Sequence, residues 1–326
     1  SLFAVATLIS SCTKDVEPEA DNAAATIVTR AAGDTPAPTA YIEVNDTNPL
    51  NVLMYRNADN TPFFKITKVF AANINDNGSE PCLYLNDNVT EVLVPSAGST
   101  TTGHYKYVQP IRQDGGKVLL SILGNHKGVG VGNLTEANQE KFAEILAWAV
   151  EEYQLDGIDF DDEWSKYGEN SNFPSSVSGS FSGLVLKLRE KLDARFPNEH
   201  KLITVFYIGY ASSLSAYFDP NVYVSPSSPW TNAKWSAQAI NLNQSYNAIT
   251  LNQIKNRSAQ SKTDGMGAIM TYDLRVQTNR DPLAAIQKIG EGIGLTVSRA
   301  SSPASGYAKD WSTGGPGTTI TYADVQ

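Results

Sequence analysis

Two nearly unbroken apolar runs restrict the folds open to this chain more than any other feature: Val69-Phe-Ala-Ala-Asn-Ile-Asn75 and Val118-Leu-Leu-Ser-Ile-Leu-Gly124. Neither alternates polar with apolar residues, so neither offers a face to water. Strands buried on both faces belong to parallel sheets covered by helices. Helical periodicity sits where such covers are needed. Thr135 is a good N-cap, and over Glu136–Tyr153 the residues Phe142, Ile145, Leu146, Ala149 and Tyr153 share one face. Phe181, Val185, Leu188, Leu192 and Phe196 mark a second helix closed by Pro197, and Asp281-Pro282 opens a third.

Further strands are expected at Tyr41–Val44, Gly157–Asp161, Lys201–Gly209, Asn221–Ser225 and Gly267–Tyr272, with a weak one at Ala248–Leu251. With the two apolar runs this makes about eight strands alternating with helices, a (β/α)8 TIM barrel or a doubly wound sheet. No Gly-rich phosphate loop follows the first strand, which disfavours the nucleotide-binding sheet. Helix signals are thin over 221–256, so some barrel helices are expected to be shortened or replaced by loops. A barrel of ~250 residues uses most of a 326-residue chain as one domain, placed at residues 40–300. The Ser/Gly/Thr-rich tail, 301–326, is expected to be loosely held.

The formal net charge is −9 and the pI about 4.9. An acidic surface repels phosphate backbones, so no nucleic-acid partner is expected. At the start, Leu2–Ile9 is a short apolar run ending Ile9-Ser-Ser-Cys12, which resembles the tail of a signal peptide and a bacterial lipobox. Residues 1–12 then form a signal remnant with Cys12 as lipidation site, and 13–39 a flexible acidic linker. The competing reading is a stray apolar end with a free Cys. No later run is long and apolar enough to cross a membrane, so membrane contact is expected only through the lipid anchor of an exported lipoprotein, at the bacterial outer membrane or cell surface. Cys82 is expected to be a buried small hydrophobe.

The chemistry concentrates in Leu155-Asp-Gly-Ile-Asp-Phe-Asp-Asp-Glu-Trp164. On a strand, Asp159, Asp161 and Glu163 share one face while Ile158 and Phe160 take the other. In a barrel the apolar side packs on helices and the acids face inward near the C-terminal rim, where barrel enzymes keep their active sites. Three carboxylates in one partly buried line cannot all ionise cheaply, and a carboxyl protonated near neutral pH suits a general acid. A solvated acidic loop or a calcium site built from the same oxygens is the alternative. Calcium loops normally place Gly and Asn between their acids, where this segment has Ile and Phe.

Asp156-Gly-Ile-Asp159-Phe-Asp161-Asp-Glu163 resembles the Asp-x-x-Asp-x-Asp-x-Glu signature of glycoside hydrolase family 18, at the end of barrel strand four. Asp162, where chitinases of the family usually carry Trp, is similar to the endo-β-N-acetylglucosaminidase branch typified by Endo H. Tyr41–Asn45, Val69–Asn75, Lys117–Gly128 and Met270–Leu274 resemble that branch in the same order, over residues of roughly 40 to 295. The resemblance implies hydrolysis of the GlcNAc-β-1,4-GlcNAc core of N-glycans with net retention, without metal or cofactor, by a protein expected to be monomeric. It makes Glu163 the proton donor, the substrate's own 2-acetamido oxygen the nucleophile, Asp161 the group orienting the acetamido N–H, and Asp159 a partner sharing its proton.

Asn73, Ser121, Asn125 and His126 lie at matching strand ends and are candidates to line the pocket, as are Tyr207, Tyr272 and Asp273. For His126 a rim hydrogen bond is the equal alternative to a sugar contact. Trp230, Trp235 and Tyr207 are candidates for stacking on sugar faces or for filling the barrel shell. Six positions depart from the branch: Phe206-Tyr207 stands where it has Tyr-Asn, Ser225-Pro-Ser227 where it has Asn-Pro-Tyr, Trp164 replaces a Tyr, and Asp273 an Asn. Loss of the strand-six Tyr would weaken transition-state stabilisation by ~1–3 kcal/mol. A glycan-binding protein on an inherited hydrolase scaffold and a chitinase are the alternative functions.

Overall fold

A computed structural model of the chain describes residues 34–206, 223–224, 236–242, 249–275, 281–303 and 305–326. Eight strands run parallel: β1 Ala37–Glu43, β2 Ile66–Asn77, β3 Lys117–Leu123, β4 Gly157–Asp161, β5 Leu202–Phe206, β6 Tyr223–Val224, β7 Ser236–Asn241 and β8 Ala268–Tyr272. Each pairs with the next, and β8 returns to β1 through Ala37 opposite Ala268. The ring of pairings closes, so the sheet is a barrel and leaves none of these eight strands as an edge.

The helices Asp87–Leu93 (α1), His104–Tyr107 (α2), Gln109–Gln113 (α3), Glu136–Glu152 (α4), Ser180–Arg195 (α5), Leu251–Thr263 (α6) and Leu283–Ile293 (α7) accompany the barrel. None in the described residues is long and apolar enough to cross a membrane. The Thr135 side chain caps α4 by accepting from the Asn138 N–H, and Phe142, Ile145, Leu146 and Ala149 are fully buried. Helices α4 and α5 are bridged by Lys191 to Glu140 and Glu144 and by Arg195 to Glu144 and Glu151. Beneath them, Ile158 and Phe160 of β4 point outward, and Phe160 meets Phe181 of α5 edge-on at 5.4 Å between ring centroids. That packing settles which face of β4 looks into the barrel.

Several expectations change. The first strand starts at Ala37 rather than Tyr41, so 37–39 belong to the barrel and not to the linker. The weak strand at Ala248–Leu251 is absent from the described residues: Ile249 and Thr250 lead into α6, where Thr250 and Gln253 form a reciprocal capping box. The seventh strand is Ser236–Asn241 instead. Helix α6 gave a thin signal because its inner face has one apolar residue, Ile254, beside Ser258 and Ser261, two small polar residues that allow close approach, with Lys255 O and Ser258 Cβ crowding Gly292 of α7. The β1–β2 connection carries a 3-10 helix, Pro49–Met54, in place of an α-helix.

The tail is anchored rather than loose. Thr318–Ile320 adds an antiparallel strand to Glu80–Leu85, which itself pairs with the outer end of β2 and carries the buried Cys82. Asn51 exchanges two hydrogen bonds with the Tyr307 backbone, and Trp311 packs on Tyr107 while donating to Asn88. Composition predicted a loose end because Gly and Ser carry little apolar area. The Tyr and Trp between them supply it.

Candidate active site

Strand β4 carries its acids at three depths. Asp156 sits at the entering end, far from the rim, where its carboxylate accepts from the Val118 N–H at 2.9 Å and pairs with Arg112 at 3.0 Å. Its role is to tie β4 to β3. Asp159 is fully buried, Asp161 nearly so, and Glu163, just beyond the strand, is exposed. Alternate residues therefore climb one inward face from the barrel floor to its mouth.

Asp159 is held by donors from four strands. Tyr41 of β1 donates to Oδ1 at 3.0 Å, Ser121 of β3 donates to Oδ2 at 2.7 Å, and Thr204 of β5 donates to Oδ1. Lys68 of β2, itself buried, lies 2.8 Å from Oδ1 and also donates to the Tyr41 hydroxyl at 2.8 Å. One ammonium and three hydroxyls turned toward it favour the ionised form of this carboxyl. Asp161 is different. Its Oδ1 is buried and has no hydrogen-bond partner among the described residues. Burial, then the charges of Glu163 and Asp159, push its pKa up to about 8. Burial also raises Glu163 above the usual carboxylate range. The Asp159 oxygens point to Lys68 and the hydroxyls, while Asp161 faces the mouth.

The loop after β4 is pinned. Asp162 accepts from Ser165 at 2.7 Å and from Tyr167 at 2.6 Å, and Tyr167 in turn accepts from the Gly132 N–H. Asp162 thus turns away from the acids and fastens their loop to the one following β3. Gly124 completes the seat: a Cβ there would lie 2.7 Å from the Glu163 carbonyl oxygen and 2.2 Å from Ser165 Oγ. The glycine lets the loop bearing Glu163 lie directly on the end of β3. At the rim, His126 and the exposed Trp164 both take left-handed backbone conformations and set their rings nearly parallel, 17° apart with centroids 6.2 Å apart.

The other expected pocket residues divide. Ser121 is wholly buried and its hydroxyl serves Asp159, so it acts below the pocket surface. Asn125 organises its loop, accepting from the N–H groups of Lys127 and Val129 and donating to Asn75 and Asp76, which leaves no free arm for a sugar. Asn73 is half-buried and donates to the Gly124 carbonyl at 2.7 Å. Tyr272 is exposed at the end of β8. Asp273 pairs with Arg275, which also binds Glu43 and Asp46 and so clasps the β8 loop to the β1 loop. Tyr207, Trp230, Trp235, Ser225-Pro-Ser227 and Cys12 lie outside the described residues. Lys68, Tyr41 and Thr204 were missed. The one signal was Lys68 itself, a cation inside a strand otherwise buried on both faces. Among the described residues no group of three or more His, Cys, Asp or Glu is arranged to hold a metal ion.

Comparison with known proteins follows the same lines. The family model described as glycosyl hydrolases family 18 matches residues 40–274. The endo-β-N-acetylglucosaminidase of Flavobacterium sp. (strain SK1022) is 36% identical over 257 residues, covering 73% of this chain and 75% of that protein. Endo-β-N-acetylglucosaminidase F1 of Elizabethkingia meningoseptica is 34% identical over 181 residues, 55% of this chain and 50% of its own. Among solved structures, Bacteroides thetaiotamicron EndoBT-3987 with Man5GlcNAc product superimposes with a TM-score of 0.63 at 23% identity, covering 91% of this chain and 68% of that one. At that identity the likeness establishes the fold.

Proposed function

The chain belongs to glycosyl hydrolases family 18 and is a glycoside hydrolase, and from that premise we propose that it is an endo-β-N-acetylglucosaminidase cleaving between the two core GlcNAc residues of N-glycans. The supporting relatives are the two endo-β-N-acetylglucosaminidases, with EndoBT-3987 solved with Man5GlcNAc product and with Man9GlcNAc2Asn substrate. One observation carries the mechanism: a buried carboxyl oxygen without a partner, on Asp161, stands beside an exposed carboxyl, on Glu163, whose pKa is raised.

Glu163 gives its proton to the glycosidic oxygen as the bond to C1 breaks. The acetamido carbonyl oxygen of the same sugar attacks C1 from the opposite face, forming an oxazolinium ion. Water, deprotonated by Glu163, then opens that ion and regenerates the acetamido group, with net retention. Asp161 Oδ1 accepts the acetamido N–H and faces the positive charge as it develops. Burial and the neighbouring acids make a charge on Asp161 costly in the free enzyme. A cation forming beside it offsets that cost, so the transition state gains more than the ground state.

The test is mass spectrometry of glycans released from a panel of N-glycoproteins. The expected products are oligosaccharides ending in a single GlcNAc, with the other GlcNAc left on Asn. Binding without release on prolonged incubation would select the glycan-binding alternative, which the departures at 206–207 and 225–227 motivate. Hydrolysis of chitooligosaccharides in place of glycan release would select a chitinase.

We also propose that the protein is an exported, monomeric lipoprotein held at the bacterial outer membrane or cell surface through Cys12. The support is the apolar Leu2–Ile9 segment followed by Ser10-Ser11-Cys12 and a linker rich in Ala, Thr, Pro and acids. Radiolabelled palmitate fed to expressing cells should enter the parent protein and not Cys12→Ser; equal labelling of both excludes this site.

A further inference from the structure

Lys68 is the most deeply buried lysine among the described residues. It lies on β2 between Thr67 and Val69, with the side chain 1% exposed, and its ammonium reaches Asp159 Oδ1 at 2.8 Å from beneath. A buried ion pair is retained against a large desolvation cost only when further hydrogen bonds complete it. Here three hydroxyls do so, from Tyr41, Ser121 and Thr204. Around the Tyr41 ring, Phe70 and Phe206 close the site edge-on and keep its dielectric low. Asp161, the next inward residue of β4, keeps its Oδ1 without a partner among the described residues, and the backbone N–H of Glu163 is the donor to its carboxyl.

We propose that Lys68 is a positioning residue that fixes Asp159 as a permanent carboxylate and so assigns the one labile proton of the Asp159–Asp161 pair to Asp161, the member that faces the substrate. This rests on the function proposed above and adds what sets its proton inventory. Without the ammonium, two adjacent buried carboxyls share a proton by repulsion alone, and the better-solvated Asp161 surrenders it to the floor. With the ammonium, Asp159 cannot take that proton, and its negative charge reaches Asp161 largely neutralised. The ionisable groups whose charges reach the pair among the described residues are Lys68 from β2, Tyr41 from β1, and Asp162 and Glu163 from the loop after β4. Lys68 is the sole cation among them. Burial lowers the Lys68 pKa while the Asp159 charge opposes that shift.

The experiment is a cycle of four proteins, parent, Lys68→Met, Asp159→Asn and the double variant, with Lys68→Arg as a charge-retaining control. Two readouts are followed: the pH profile of kcat/KM for glycopeptide cleavage, and the carboxyl resonances of 13C-Asp-labelled protein. Removing a cation makes carboxylates harder to form, so Lys68→Met moves the acidic limb and the shared carboxyl titration upward by roughly one to three pH units. Asp159→Asn leaves the cation unopposed and moves the Asp161 titration downward. The double variant, with both charges gone, returns near the parent, and Lys68→Arg stays with the parent. A Lys68→Met profile superimposed on the parent's while kcat falls, or single variants shifting in the same direction, overturns the proposal. The resonance titration decides the matter even if the parent cleaves no glycan, in which case it is the functional reading that is lost. If Lys68→Met does not fold, the downward shift in Asp159→Asn remains required.

Discussion

Replacing Glu163 by Gln lowers the rate of glycan release by about 10²- to 10⁴-fold, the usual contribution of a positioned general acid, while glycopeptide binding by calorimetry stays within a few-fold. Gln preserves the volume and the hydrogen-bonding reach of the side chain but has no proton to give. The leaving oxygen then departs as an alkoxide, and the attacking water loses its base in the second step. Glu163 is exposed and its side chain makes no hydrogen bond among the described residues, so stability should be unchanged. A variant releasing glycan within tenfold of the parent rate would remove Glu163 from the chemistry. The proposed mechanism would go with it.

Asp161→Asn separates activity from stability. The neutral amide can still accept the acetamido N–H but cannot ionise as the oxazolinium ion forms beside it, and a loss of about 10²- to 10³-fold in kcat is expected, as for removal of one preorganised electrostatic partner. Stability should move the other way, and in a pH-dependent manner. The folded carboxyl titrates at about 8 against an ordinary value of 3.8. The folded state therefore holds a proton that the unfolded chain releases above pH ~4. Its stability falls as pH rises from there, and the full penalty, of order 5 kcal/mol, is reached once the pH passes about 8. Asn does not ionise and escapes that penalty. Urea denaturation at pH 5 and pH 8.5 should show the variant's advantage over the parent widening with pH. An equal gap at both values would mean that Asp161 is already ionised in the folded protein.

Much of the barrel and the line of acids could be read directly from the chain, because both depend on local periodicity. A strand repeats every two residues, so Asp159, Asp161 and Glu163 had to share a face opposite Ile158 and Phe160 wherever that strand went. The apolar runs of β2 and β3 implied burial on both sides for the same reason. Local periodicity failed where small polar residues carry the packing, as in α6, and where a β-branched pair caps a helix, as at Ile249-Thr250. It failed again in the tail, which is held by single aromatics and backbone hydrogen bonds.

The residue types and the spacing of the acid line were thus a property of one short segment, written in the chain. Which acid is ionised was not, because charge depends on neighbours that other strands deliver. Lys68, Tyr41, Ser121 and Thr204 come from β2, β1, β3 and β5, and only closure of the barrel brings their donors onto the carboxyl of Asp159. Closure likewise leaves Asp161 Oδ1 buried without a partner among the described residues and Glu163 open at the mouth. Hydrogen bonds act over about 3 Å, and no spacing along one strand reveals what a neighbouring strand brings that close.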